Sequence, residues 1–395
     1  MSGILVIGGG FAGVSAAAVA ADEIRQNGGD IPVTLISKDG YLTIRPRLYE
    51  RDPENLRVPL RPVLEPIGVG FVEQAATAID TAAKTVLLAD GRAVRYDRLV
   101  LATGSELPPF PVPGAAEHAW NIDTYDAAVA LDRHLQAVGR TPGMSGRDTV
   151  AIIGAGMTGI ELAAEMRSRL AVHFGDGAAM RVRVVLIERA AAVGPEFGDN
   201  PRPAIEAALA TAGVEVRLGT TVMEISADGI RLSDGERIDT ATTVVTVGLR
   251  ANGLTSDIPG ERDEAGRLAV DGYLRAKGAA DIYATGDVAR AYVDDENVAL
   301  MSCQHARTMG KYAGLNAARG MLGLPPRLYR QPDYTTCLDL GTAGALFTTG
   351  WDRQVKNASD EAKARKRAIN TQWIYPPTGT AEEIFAGLRI DERGR

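Results

Sequence analysis

The stretch Ile4-Leu5-Val6-Ile7-Gly8-Gly9-Gly10-Phe11-Ala12-Gly13-Val14-Ser15-Ala16-Ala17 decides how the chain folds. Four apolar residues run into three glycines, and an alanine-rich helical pattern comes after them. This reads as strand, tight turn and helix. Gly8, Gly10 and Gly13 fit the spacing G-x-G-x-x-G. Gly8 permits the turn, Gly10 lets backbone N–H groups approach a pyrophosphate, and Gly13 lets the helix pack closely on the strand. A pyrophosphate on such a turn meets the unpaired N–H groups and positive dipole end of the helix.

The logic recurs in Thr149-Val150-Ala151-Ile152-Ile153-Gly154-Ala155-Gly156-Met157-Thr158-Gly159-Ile160-Glu161-Leu162. Two such units in one chain predict two bound dinucleotides.

Composition fits that reading. With 395 residues the chain can form two or three domains with sizeable cores. Hydrophobic residues at 45% and charged residues at 24% are ordinary for a globular protein, and a net charge of −7 argues against nucleic acid as a partner. No apolar run is long enough to span a bilayer, and no basic segment precedes the first strand, so neither a membrane span nor a signal peptide is expected. The two cysteines, Cys303 and Cys337, lack redox-pair or metal spacing and are expected to be reduced thiols, with no metal site.

Further along, Val33 to Ile36 reads as a second strand. Its end carries Ser37-Lys38-Asp39 where a carboxylate for ribose hydroxyls usually stands; Ser37 can bond a ribose more weakly, and Asp39 is the substitute carboxylate. Gly40 to Glu50 is a loop rich in arginine and tyrosine, suited either to a reacting ring or to solvent. Phe71 to Asp80 and Thr85 to Leu88 read as a β-meander. Tyr96 to Leu101 is a strand ending in Ala102-Thr103-Gly104, small enough to admit a cofactor near the backbone. In the second unit, a helix over 157–174 precedes strand 182–187 and then Glu188-Arg189. Glu188 suits the two hydroxyls of an adenosine ribose and repels a 2′-phosphate, favouring NADH over NADPH. A strand over 280–284 leads to Thr285-Gly286-Asp287, and 303–321 is helical. Beyond Pro325-Pro326 lie strands near 334–340 and 344–349. The charged helix Asp360 to Arg367 reads as a solvated face, with contact to anionic lipid as the alternative.

Four features in order resemble the two-dinucleotide flavoproteins, the pyridine nucleotide–disulfide oxidoreductases: Gly8-x-Gly10-x-x-Gly13, Ala102-Thr103-Gly104, Gly154-x-Gly156-x-x-Gly159 with Glu161, and Thr285-Gly286-Asp287-Val288. The resemblance covers about residues 1–325. It implies an α/β fold with two Rossmann-like domains and a small C-terminal module: an FAD-binding domain over 1–115 and 249–325, an NAD(P)-binding domain over 116–248, and the module over 326–395. It implies FAD against Gly8, Gly10, Phe11, Ala12, Gly13, Ser37, Lys38, Arg45, Ala76, Ala102, Thr103, Gly104, Gly286 and Asp287. NAD(P)H, with NADH favoured, is implied against Gly154, Gly156, Thr158, Gly159, Glu188 and Gly248.

Within that family the chain looks most like type II NADH dehydrogenases and apoptosis-inducing-factor-like flavoproteins. Arg45-Pro46-Arg47-Leu48-Tyr49 resembles their Pro-Leu-Leu-Tyr segment, Gly159-Ile160-Glu161-Leu162-Ala163 their Gly-Val-Glu-Leu-Ala, and Ser302-Cys303-Gln304 stands at their Ala-Gln quinone motif. Their second glutamine is Thr308 here, and the C-terminal Ile390 to Arg395 is polar rather than amphipathic. The implied activity is hydride transfer from NAD(P)H to FAD and onward to a quinone or quinone-like small acceptor. Glu161 is the candidate for orienting nicotinamide or relaying a proton, and Gln304, with His305 beside it, for contacting the acceptor. A cytoplasmic protein is expected, or one peripheral to the inner face of the membrane. Three alternatives remain open: an enzyme acting on a small metabolite, a reductase serving a ferredoxin-like protein, and a slow-turnover redox sensor.

Overall fold

The computed structural model describes residues 3–390. Of the polar C-terminal stretch, positions 391–395 lie outside the described residues.

Five helices position the site or close the chain over it: α1 (Phe11–Gln26), α2 (Met157–Phe174), α3 (Cys303–Leu322), α4 (Asp360–Ala368) and α5 (Ala381–Leu388). The first sheet has six strands in the order Arg275–Ala276, Ala279–Ala284, Arg98–Leu101, Ile4–Ile7, Val33–Ser37 and Gly70–Glu73. Its pairings are parallel except at the Arg275–Ala276 edge. The second sheet is wholly parallel, in the order Ala119–Trp120, Thr242–Val245, Thr149–Ile153, Arg183–Ile187 and Val214–Arg217. Strands such as Ile4–Ile7 and Thr242–Val245 are buried along their whole length. This is what a parallel sheet covered on both faces requires, and it explains the unbroken apolar runs.

Each glycine turn leaves the carboxyl end of an inner strand of its sheet and opens a helix. In both, the third glycine is a packing residue. A Cβ on Gly13 would lie 1.8 Å from the Gly8 carbonyl oxygen, and one on Gly159 1.8 Å from that of Gly154. Gly8 and Gly154 have φ of +115° and +104°, which side chains with a Cβ rarely adopt.

Three further sheets are antiparallel and three-stranded: Ala76–Asp80 with Thr85–Leu88 and Ala93–Arg95, Val222–Ser226 with Gly229–Leu232 and Arg237–Asp239, and Thr335–Asp339 with Ala345–Thr349 and Gln354–Ser359. Two sequence expectations change here. The run from Phe71 to Asp80 is not one meander strand. It breaks after Glu73, where Gln74 N–H turns back onto the Val72 carbonyl, so Gly70–Glu73 joins the parallel sheet and only Ala76–Asp80 enters the meander. The strand Gln354–Ser359 is absent from the sequence reading, because its mostly exposed, polar residues carry no hydrophobic alternation.

The helix α3 returns the chain to the first sheet by crossing α1 at backbone contact. A Cβ on Gly310 would fall 2.2 Å from the Ala12 carbonyl oxygen, and one on Gly314 2.0 Å from that of Ala16. Ala16, Ala17, Ala313 and Ala317 are fully buried. Since the obstacle is backbone, no side chain can yield. Gly314→Ala is expected to separate the helices and cost about 3 kcal/mol, the upper end for overpacking. Urea unfolding of the FAD-loaded protein measures it, and loss of less than about 1 kcal/mol would contradict the tight crossing.

Candidate active site

One cleft of about 3110 Å³ runs from the first glycine turn to the second and on to the start of α3. Of the expected residues, Gly8, Gly10, Phe11, Ala12, Ser37, Lys38, Arg45, Ala76, Ala102, Thr103, Gly104, Gly154, Gly156, Thr158, Glu161, Glu188, Gly248, Gly286, Asp287 and Gln304 all line it. Gly13 and Gly159 do not, in keeping with their packing role.

At the first turn the chain fits a diphosphate-linked cofactor. The α1 N-terminus carries no side-chain cap and no acidic residue in its first turn, and a Cβ on Gly10 would meet nothing within 4 Å. The hydroxyls of Thr103 and Thr285, at the ends of two neighbouring strands and on the cleft wall, are buried with no hydrogen-bond partner. Such groups call for a polar ligand. Arg45 does not hang free in its loop. It donates to the Ser105 carbonyl at 3.1 Å and hydroxyl at 2.9 Å, pairs with Asp123, and stands 3.8 Å from Asp287. Ser105 Oγ donates to Asp287 at 2.6 Å. Burial pushes the Asp287 carboxyl above its ordinary range, against the pull of Ser105 and Arg45. Asp39 accepts from the Tyr41 N–H at 3.0 Å and stands 3.8 Å from Arg57.

At the second turn, Glu188 is held by two backbone N–H groups, Ala155 at 2.8 Å and Ala190 at 2.9 Å, one on each carboxylate oxygen. Arg189 is exposed on the cleft rim.

Between the turns lies a buried charge cluster. Glu161, on the second turn of α2, is 4% exposed. Its Oε1 accepts from Lys366 Nζ at 2.8 Å and from the Asp339 N–H at 2.9 Å. Burial pushes the Glu161 carboxyl up, opposed by Lys366. Burial also pulls the Lys366 ammonium down, but Glu161, Cys337 and Asp339 together outweigh it and the net direction is up. Lys366 donates as well to the Cys337 carbonyl at 3.0 Å. Around this pair, Lys363 bridges Glu165 and Asp339, and Tyr49 donates to Asp339 at 3.0 Å. Asn370, in a π-helical turn after α4, donates to Glu50 at 2.8 Å.

The helix α4 keeps the solvated face its composition suggested, at Asp360, Glu361, Arg365 and Arg367, but its other face is turned into the site. Lys366 is 6% exposed and Lys363 is half-buried, because both are drawn to carboxylates contributed by distant segments. Nothing local in Asp360 to Arg367 signals this. Lys366 is the main site residue that sequence reasoning missed.

His305 is also corrected. It does not line the cleft but stacks on Tyr334 and Trp351, with ring centroids 5.4 and 5.9 Å away, and its Nδ1 lies 2.9 Å from Ser302 Oγ. One residue before it, Gln304 faces the cleft and accepts from Thr335 Oγ1 at 3.4 Å. The helical step of about 100° turns neighbours to different faces. Cys303 and Cys337 are half-buried free thiols on the same cleft, and burial pushes both above the ordinary thiol range, which keeps them protonated.

The sequence model of the pyridine nucleotide-disulphide oxidoreductases matches residues 2–310. The chain belongs to this family. It is 45% identical over 390 residues to an NADH dehydrogenase-like protein of Mycobacterium tuberculosis, covering 98% of each chain. It is 27% identical over 391 residues to a type II NADH:quinone oxidoreductase of Staphylococcus saprophyticus, covering 94% and 95%. In fold it is similar to a sulfide:quinone oxidoreductase from Aquifex aeolicus, with a TM-score of 0.79 at 19% identity over 100% of this chain and 94% of that one. The chain is an NAD(P)H-driven flavoprotein oxidoreductase working with FAD and NADH. Among the described residues, no helix is long and apolar enough to cross a membrane, and no cluster of three or more His, Cys, Asp or Glu could hold a metal ion.

Burial lowers the His305 pKa from 6.5 to about 4. The folded state therefore favours the neutral ring. That stability is complete above pH 6.5 and is lost as pH falls from 6.5 through 4. It amounts to about 3 kcal/mol. Unfolding free energies at pH 7 and pH 4 should differ by that much less in His305→Asn than in the unaltered protein. Equal acid sensitivity would show that the ring is not held neutral.

Proposed function

We propose that the chain is an NADH:quinone-type oxidoreductase. The observation that carries this is the continuous cleft. It joins a nucleotide turn with a fixed ribose carboxylate to the Gln304 face of α3, and a buried proton-bearing pair stands between them. The relatives named NADH dehydrogenase-like and type II NADH:quinone oxidoreductase support the reading.

When bound, FAD would supply the redox chemistry that links nicotinamide oxidation to reduction of the acceptor. The protein's part is to bind, orient and manage protons. Glu188, fixed by Ala155 and Ala190, offers its carboxylate to the adenosine ribose and disfavours a 2′-phosphate. Thr103, Thr285, Asp287 and the α1 N-terminus hold the flavin nucleotide. Gln304, at the start of α3, presents an amide to the acceptor. Quinone reduction consumes protons, and Lys366 Nζ holds one at 2.8 Å from Glu161 Oε1, on the cleft wall. Asp339, Lys363 and Tyr49 keep that pair in place. The protonated thiols of Cys303 and Cys337 take no part.

Anaerobic titration followed by flavin absorbance tests the reading. NADH should bleach the bound flavin and NADPH should do so weakly. A short-chain benzoquinone should then restore the colour. Persistent bleaching with quinone, but reoxidation by another acceptor, would overturn the quinone assignment. Glu161→Gln should retain FAD while slowing quinone turnover about a hundredfold, the lower range for loss of a positioned proton-transfer group. Lys366→Met leaves Glu161 buried without its partner and should cost about 3 kcal/mol or more in stability. Turnover unchanged in Glu161→Gln would remove the pair from the mechanism.

A further inference from the structure

The two glycine turns have the same sequence logic but differ in what faces them. At the first, the α1 N-terminus is open. At the second, the α2 N-terminus is taken: Glu196 Oε1 accepts from the Met157 N–H at 2.9 Å. The same oxygen lies where a Cβ on Gly156 would come within 2.9 Å of it. The glycine that must stay bare for a diphosphate is thus covered by a carboxylate from a segment far downstream.

We propose that Glu196 is a displaceable plug in the diphosphate seat of the second nucleotide. This rests on the reading of that turn as the NADH site. A helix N-terminus favours one anion, and a carboxylate satisfies it as a phosphate does. A dinucleotide needs the same N–H group, and its charge repels the carboxylate, so the two exclude each other. Every pyridine nucleotide that binds must first eject Glu196.

The surroundings permit that ejection and limit it to the side chain. Glu196 is exposed and can turn out into water. Its backbone cannot follow. The neighbouring Phe197 is 2% exposed, and the Arg353 guanidinium lies 4.7 Å over its ring while donating to the Glu196 carbonyl. Asn200 adds a bond to the Asp352 carbonyl at 2.7 Å. Gly194 and Gly198 bracket the segment with φ of +57° and +74°, so the loop is bent into place from both ends. The turn Gly350 to Arg353 belongs to the C-terminal module. That module therefore sets where the plug sits. Arg353 also lies 5.6 Å over Tyr334, which stacks on His305 next to Gln304.

The plug acts on the diphosphate and not on the ribose, unlike Glu188. Calorimetric binding to the FAD-loaded protein separates the two, with ADP-ribose as the diphosphate probe and adenosine as the control. Glu196→Ala should bind ADP-ribose about fivefold more tightly or better, the equivalent of one N-cap contact. Glu196→Gln, which keeps an acceptor oxygen but loses the charge, should fall between Ala and the unaltered protein. Adenosine should bind all three alike. ADP-ribose affinity unchanged or weakened in Glu196→Ala, with the unaltered protein binding it, would overturn the plug and leave the NADH site standing. Tightening of adenosine by the same factor would overturn it too, by showing a general change in the cleft. Binding to none of the proteins would overturn both the plug and the nucleotide reading of this turn. Binding only after Glu196→Ala would support the plug in its strongest form.

Discussion

The structure depends on two helices meeting with no side chains between them. Gly310 and Gly314 bring α3 onto the Ala12 and Ala16 carbonyls of α1. That contact fixes the start of α3, and with it Gln304, relative to the first glycine turn. It also brings Ala306 against Gly286, at the end of the neighbouring strand. A wider crossing would enlarge the cleft between the first glycine turn and the start of α3. Small residues are therefore dense along this line for a geometric reason, and the alanine richness of α1 is the outward sign of it.

Charge is handled differently at the two ends of the cleft. Near the first turn, Arg45, Ser105, Asp123 and Asp287 form a partly buried set in which every charge has a near partner. Near the second, Glu188 relies on backbone N–H groups alone. Between them, Glu161 and Lys366 are both almost wholly buried, an arrangement that contributes little to stability compared with an apolar pair of the same size.

Much of the fold could be read from local pattern. The two turns, their helices and the strands ending in Thr103, Glu188 and Thr285 depend on residues adjacent in sequence, so spacing alone reveals them. The features that escaped depend on residues brought together by the fold. Lys366 is one cation in a charged helix until Glu161 arrives from far upstream. Glu196 is one residue of a Gly-Pro-Glu-Phe-Gly loop until the fold lays it on Gly156. His305 and Gln304 are neighbours that helical rotation sends to opposite environments. Gly70–Glu73 joins the parallel sheet because Val33–Ser37 offers it an edge, which no property of its own sequence announces.

The strand Ala279–Ala284 pairs with Arg98–Leu101, and α3 packs on α1, although the whole second sheet lies between them in the chain. This has a consequence for synthesis on the ribosome. The first sheet cannot close until Ala279–Ala284 has emerged, nor be covered by α3 until later still, whereas the second is complete once Thr242–Val245 is free. The later-encoded sheet is thus positioned to finish first, and the N-terminal strands must wait with one apolar edge exposed. Nascent chains arrested before α3 are the state most in need of chaperone protection.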